Sequence, residues 1–190
     1  MKTIFQRTLT ALALAAIAIT TTQAQTFTTL HAFNGTTDGK NPYGLPVISD
    51  GLIYGTTLTG GTNQFGTIWD YNLSTGAFTV LYQGKVNGTS GGVANFYAGV
   101  YVQQTSGSLG PKIFGAATAG STGGNGSFFV LQDGIVNSLA NFTHDLKFPY
   151  AAPMLGTDGL FYGTLGKGLS GQETQGGVCI ASSRMAVSTR

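Results

Sequence analysis

Short runs of aromatic and β-branched residues alternate along this chain with segments rich in Gly, Asn and Asp. Residues 30–33 (LHAF), 52–57 (LIYGTT) and 66–72 (GTIWDYN) are such runs, and each has the length and composition of a β-strand. Four of the six Asp residues precede Gly, a pair that supplies the positive φ angles of tight hairpin turns. The pattern predicts an all-β protein of short strands, with turns at Asp38, Asp50, Asp133 and Asp158.

The strands and turns recur along the chain as a repeat. The phrase DGLIYGT at 50–56 returns as DGLFYGT at 158–164, and a weaker copy places Phe114-Gly115 60 residues after Tyr54-Gly55. The matches divide the chain into units of about 30–78, 79–134 and 135–180. Four short strands in roughly every 50 residues are typical of a β-propeller blade. Because propellers close with about four or more blades, three units predict an incomplete or open propeller.

The motifs of the first unit occur in a specific order: LHAF at 30–33, DGKNP at 38–42, DGLIYGTTLTGG at 50–61 and GTIW at 66–69. This order closely resembles the GloVer tandem repeat of exported bacterial proteins. The resemblance implies a secreted, propeller-like repeat protein, and it supplies no catalytic residues. The third unit departs from the pattern after QGG at 175–177, where the chain continues VCIASSRMAVSTR. We therefore expect an irregular tail at 181–190 and a truncated or frame-shifted end.

Residues 1–24 have the pattern of a secretory signal peptide. Lys2 and Arg7 precede the apolar run 9–19, and small residues at Thr22 and Ala24 predict cleavage before Gln25. Without Lys2 and Arg7, seven basic residues balance seven acidic ones, so a basic surface for nucleic acid is not supported. We expect a protein that is secreted, periplasmic or on the cell surface, with no membrane span in the mature chain.

Candidate catalytic residues are few. His31 and His144 do not occupy equivalent positions of their units, and without a paired His motif the sequence predicts no metal site and no cofactor. Glycoside hydrolysis needs two carboxylates, and Asp70 and Asp145 are the Asp residues that do not precede Gly. A pair that involves either of them stays open, with Glu173 the sole Glu.

Two isolated nucleophiles are better explained by structure than by catalysis. Ser90 lies in GTSGG at 88–92, which fits the GxSxG pattern but lacks the strand-then-helix context of a nucleophile elbow, so a glycine-rich loop is favoured. Cys179 is the only cysteine, which excludes an internal disulfide and favours a buried or incidental thiol. No catalytic residue is assigned from the sequence.

Aromatic residues give the best indication of binding. Trp69, Tyr71, Tyr97 and Tyr101 alternate along strand-like runs, where they could stack on sugar rings or fill the core between sheets. We expect an exported, non-catalytic repeat protein that binds a glycan or a protein, with self-association left open. The alternatives are a secreted polysaccharide-active enzyme of propeller type and a fragment of a longer repeat protein. Equivalent exposed aromatics would favour binding, whereas Asp70 or Asp145 sharing a pocket with another carboxylate would favour the enzyme.

Overall fold

The computed structural model describes residues 26–86, 92–121, 123–143 and 147–166, together with the backbone of 178–181. The chain divides into a unit at Met1–Leu30, of which 26–30 contain no strand, and a unit at His31–Arg190. The described part of the second unit is all-β, as predicted, and contains no helix. Its strands are β1 (Val47–Ser49), β2 (Leu52–Thr57), β3 (Thr67–Asn72), β4 (Phe78–Gln83), β5 (Val93–Ala94), β6 (Val100–Gln103), β7 (Lys112–Ala117), β8 (Ala119–Gly120), β9 (Ser127–Gln132), β10 (Ile135–Asn141), β11 (Met154–Leu155), β12 (Phe161–Leu165) and β13 (Val178–Ala181).

The strands form successive antiparallel sheets, none of which closes on itself. The first sheet has the order β1-β2-β3-β4, the second β6-β7-β9-β10 and the third β11-β12-β13, while β5 pairs with β8. The first and third sheets are therefore meanders of consecutive strands, and in the second sheet only the short strand β8 intervenes, between β7 and β9. The strands β4 and β10 complete the first and second sheets, although most of β4 and all of β10 lie beyond the 78 and 134 boundaries of the sequence units.

Asp-Gly turns join strands in the first two sheets. Asp50 and Gly51 both have positive φ between β1 and β2, and Asp133 and Gly134 do so between β9 and β10. Two consecutive positive φ angles are those of a type I′ turn, whose twist matches that of the flanking strands. The prediction of hairpin turns is confirmed at these two positions.

The 60-residue repeat is kept in the strand register. The five pairs between β7 and β9 are five of the six between β2 and β3, moved by 60 residues, so Gly55 opposite Trp69 becomes Gly115 opposite Phe129. In the third sheet Tyr162, the counterpart of Tyr54, pairs with Ala181, and VCIA takes the place of TIWD. A strand therefore forms at 178–181 although the sequence motif is lost after QGG, since backbone pairing needs no particular side chain. Ala181, the first residue of the expected irregular tail, is thus part of a strand.

The two faces of each sheet are defined by the alternation of side chains along its second strand. Face A carries Tyr54 in the first sheet, Phe114 in the second and Tyr162 in the third, and face B carries their preceding neighbours, Ile53, Ile113 and Phe161. One core cluster joins face A of the first sheet to face B of the second, and another joins face A of the second to face B of the third. The sheets thus stack in chain order through the same pair of faces. The first cluster includes Tyr54, Ile68, Tyr82, Val100, Ile113, Ala117, Phe129 and Leu131, and the second is formed by Phe114, Phe128, Phe142, Phe161 and Leu165.

Candidate functional site

Three tyrosines form a row along one edge of the stacked sheets. Each of the three larger sheets has one such tyrosine three or four residues before its first strand, namely Tyr43, Tyr97 and Tyr150. Their side chains are between 38 % and 64 % exposed. The ring centroids of Tyr43 and Tyr97 are 5.5 Å apart with an interplanar angle of 19°, and those of Tyr97 and Tyr150 are 5.1 Å apart at 76°. We call these three residues the tyrosine row.

The backbone holds each tyrosine in the same way. Asn41, Asn95 and Phe148, two residues before the respective tyrosines, have left-handed φ angles of 59°, 58° and 61°. Each of their carbonyls accepts a hydrogen bond from the backbone N–H of the residue directly after the second strand of its sheet. The donors are Leu58 at 3.0 Å, Thr118 at 3.2 Å and Gly166 at 2.8 Å. The row therefore consists of equivalent positions of the repeat, one for each sheet.

Close backbone packing brings the first two tyrosines together. A Cβ atom on Gly44, which follows Tyr43, would lie 2.6 Å from the backbone nitrogen of Gly99, so only glycine allows this approach. The buried hydroxyl of Thr56 donates a hydrogen bond of 2.9 Å to the carbonyl of Ala98, which follows Tyr97. These contacts fix the distance between the first and second members of the row.

Phe148 extends the row beyond Tyr150. Its ring is 40 % exposed and nearly parallel to that of Tyr150, with centroids 6.0 Å apart and an interplanar angle of 3°. A left-handed φ is rare for a bulky residue, because its Cβ crowds the backbone, whereas Asn at the equivalent positions 41 and 95 tolerates it. The third repeat thus maintains an exposed aromatic ring at a strained position.

The structure does not bring together the four aromatics named from the sequence. Trp69 packs against Phe33 and Phe78 on face B of the first sheet, and its buried Nε1 has no hydrogen-bond partner among the described residues. Tyr71 is on the same face of that sheet, while Tyr101 packs with Phe161 between the second and third sheets.

Only Tyr97 of the four belongs to the tyrosine row. The sequence does contain a signal for the rest: Pro42 matches Pro149, and Tyr follows both prolines. What the sequence does not show is that these separated positions meet, since that depends on the stacking of the sheets.

Two carboxylates line a second candidate site, a cleft of about 200 Å³ between the first two sheets. Asp70 lies on face A, where burial raises its pKa against the opposing effect of a hydrogen bond from the Thr79 side chain. Asp133 lies in the hairpin between β9 and β10, and its Oδ1 accepts a hydrogen bond of 3.0 Å from the Gly110 N–H. Tyr54 also lines the cleft, and burial followed by the charge of Asp70 raises its pKa. The cleft therefore pairs a half-buried carboxyl with an exposed one.

His31 and Asp38 form a hydrogen-bonded pair with a structural role. The imidazole Nε2 is 2.9 Å from the carboxylate and the ring stacks on Phe78 at 3.7 Å. The same carboxylate accepts the backbone N–H groups of Asn34 and Gly35, at 2.9 Å and 3.2 Å. Asp38 was predicted to be a hairpin turn residue, and this is wrong, because its φ is not left-handed and its buried side chain closes the loop at 34–38 instead.

The other candidates from the sequence lie outside the described residues. They are His144, Asp145, Glu173 and Ser90, and of Cys179 only the backbone is described, opposite Thr164. Within the described residues no group of three or more His, Cys, Asp or Glu side chains is arranged to hold a metal ion. In that same part of the chain, no helix has the length and apolar character needed to cross a membrane.

Comparison with known proteins adds no relative. No family model matches the chain, and no curated protein matches it. The assignment of a function therefore rests on the site geometry and on the repeat itself.

Proposed function

We propose that this chain is an exported, non-catalytic binding protein of the GloVer type, and that the tyrosine row contacts its ligand. In this proposal the three stacked meanders are the blades of an incomplete or open propeller, and the row lies along the edge formed by their first strands. The observation that supports it is the recurrence of one exposed tyrosine at the equivalent position of each of the three larger sheets. Export is supported by the predicted leader at 1–24.

The ligand we propose is an extracellular glycan chain. A tyrosine ring offers a flat apolar face beside a polar hydroxyl, and a sugar ring offers an apolar C–H face edged by hydroxyls. Equivalent side chains at regular positions suit a ligand whose own units repeat, because each unit then meets the same chemistry. A protein partner would use the same aromatic side chains as interface anchors.

A glycan array on the purified protein, followed by calorimetric titration of the best oligosaccharide, tests the proposal. Tyr97 contacts both of its neighbours, so Tyr97→Ala is expected to weaken binding by about tenfold or more, in the range of truncated interface aromatics. Phe65→Ala is the matched control, because Phe65 has the same exposure as Tyr97 to within 1 % and is not in the row. Equal losses in the two variants, or no glycan bound at all, would count against the tyrosine row as a glycan site.

A second candidate function is polysaccharide hydrolysis in the cleft that contains Asp70 and Asp133. The observation in its favour is that Asp70 lines one cleft with a second carboxylate, Asp133, and that burial raises the pKa of Asp70, as suits a general acid. The release of reducing ends from a polysaccharide panel tests this candidate. It requires activity in the wild type that disappears in both Asp70→Asn and Asp133→Asn but persists in Tyr97→Ala.

A further inference from the structure

The contact between consecutive sheets is directional. Face A of the first sheet packs on face B of the second, and face A of the second packs on face B of the third. This order leaves face B of the first sheet and face A of the third without another described sheet against them. A surface that differs from its partner surface makes a heterologous contact, the kind that continues from one copy to the next.

Face B of the first sheet is less buried than its counterparts. Trp69 and Tyr71 are half-buried, whereas the equivalent Phe129 and Leu131 of the second sheet are fully buried in the contact with the first sheet. Ile48 on β1 is 69 % exposed, and its neighbour across the strand pair is the half-buried Ile53. The first sheet thus carries the side chains of an inter-sheet contact without the burial that such a contact gives.

His31 and Phe33 already lie against part of this face, and they are compatible with a further sheet there. Phe33, the sequence match of Phe142, is half-buried beside Trp69. Phe142 is buried in the cluster between the second and third sheets, to which Phe161 also belongs. A phenylalanine in this place is therefore a component of an inter-sheet contact, and it does not replace one.

Face A of the third sheet shows the complementary difference. Thr164 is exposed and Tyr162 half-buried, whereas their counterparts Thr56 and Tyr54 in the first sheet are fully buried. On the neighbouring strand of the same face Met154 is 68 % exposed. Both terminal faces therefore contain side chains that are more exposed than their counterparts between adjacent sheets.

We propose that two copies of this chain associate head to tail, with face B of the first sheet of one copy packed on face A of the third sheet of the other. The proposed partner is a second copy for the following reason. Within the chain, face A of one sheet packs on face B of the next sheet twice, and the two uncovered faces are one face B and one face A. Two copies bring six sheets into one stack, within the roughly four to eight blades of known propellers. The inference uses the sheet faces alone and is independent of the ligand of the tyrosine row.

Sedimentation equilibrium of the purified protein over a range of concentrations tests the association. The wild type is expected to form a species of at least twice the monomer mass, and Ile48→Lys to stay monomeric, because the contact would bury an unpaired charge. Ile135→Lys is the matched control, since Ile135 is 64 % exposed and lies on the outer strand of the second sheet. Both positions are exposed, and unchanged circular dichroism would show that the variants fold.

Mixing two variants tests the head-to-tail order. Met154→Lys alters face A of the third sheet and leaves face B of the first sheet intact, so it is expected to be monomeric alone. An equimolar mixture of Ile48→Lys and Met154→Lys keeps one intact pair of faces, and it is expected to form a dimer and nothing larger. A monomeric wild type at all concentrations, wild-type association by Ile48→Lys, or a mixture that stays monomeric would each overturn the proposal.

Discussion

The indole of Trp69 lies directly over Gly55, its partner on the neighbouring strand, in the space that a Cβ atom at position 55 would occupy. Phe129 lies over Gly115 in the same way, 60 residues further along the chain. A glycine in the middle of a strand weakens it unless another group uses the space. In the first two sheets the glycine therefore leaves room for an aromatic ring from the neighbouring strand.

Replacing this glycine is expected to destabilise the protein by overpacking. The methyl group of Gly55→Ala would overlap the Trp69 ring, and forcing extra atoms into a packed site typically costs about 1–3 kcal/mol. The free energy of unfolding from urea denaturation measures the loss.

Trp69→Leu provides the internal control for that measurement, because leucine has no ring to overlap the new methyl group. Gly55→Ala should therefore cost less in the Trp69→Leu background than in the wild type. The two losses of unfolding free energy should differ by at least about 1 kcal/mol. Equal costs in the two backgrounds would show that the ring and the methyl group do not compete for this space.

Acid is expected to weaken the contribution of Asp38 to stability. Burial acts to raise its pKa, but hydrogen bonds from the Asn34 N–H, His31 and the Gly35 N–H outweigh burial and bring the pKa below the ordinary value of 3.8. A lowered folded-state pKa gives stability that is complete above the unfolded value and is lost as the pH falls through the folded one. The wild type should therefore be more stable than Asp38→Asn at pH 7, and the difference should shrink below about pH 3.8. Unfolding free energies of both proteins between neutral and strongly acid pH check this, and a difference independent of pH would contradict it.

Asp70 is expected to show the opposite dependence on pH. Burial raises its pKa above 3.8 in the folded protein, so its ionisation begins to oppose folding as the pH rises above 3.8, and the effect is complete above the folded-state value. Asp70→Asn should raise the unfolding free energy at pH 7, and this gain should disappear as the pH falls below 3.8. The same titration series measures it, with Asp38→Asn as the comparison of opposite sign. A neutral-pH loss of stability in Asp70→Asn would mean that the hydrogen bond from Thr79 outweighs the effect of burial.

The sequence predicts those features whose cause is local. Asp50-Gly51 and Asp133-Gly134 form the expected hairpins because two adjacent residues determine the turn. Asp38-Gly39 reads the same in the sequence, yet it has another role, because the Asp38 carboxylate is bound by N–H groups of residues 34 and 35. A dipeptide cannot indicate which of these outcomes applies, since the second one depends on the path of the whole loop.

The candidate site was harder to predict because its parts are distant in the chain. Trp69 and Tyr97 are equally aromatic in the sequence. In the structure Trp69 packs against Phe33 on face B of the first sheet, whereas the stacking of the sheets leaves Tyr97 exposed between Tyr43 and Tyr150. The repeat does show in the sequence that Tyr43 and Tyr150 occupy equivalent positions, because each follows one of the matched prolines. It does not give the distance between them, because that distance depends on packing between residues more than 50 positions apart.

Phe148 allows stability and binding to be separated in one variant. Phe148→Asn gives the third repeat the residue found at the equivalent positions 41 and 95, where a left-handed φ is tolerated. Relief of the strain should raise the unfolding free energy by about 1 kcal/mol, the lower part of the range for such backbone strain. The same change removes an exposed ring from the end of the row, so glycan affinity should fall while stability rises, a trade-off typical of functional sites.

Asn95→Gly is the control, because glycine also accepts this φ and no ring is lost, and its glycan affinity should stay that of the wild type. If Phe148→Asn lowered stability and left affinity unchanged, the strained phenylalanine would be a packing residue, and the binding row would end at Tyr150.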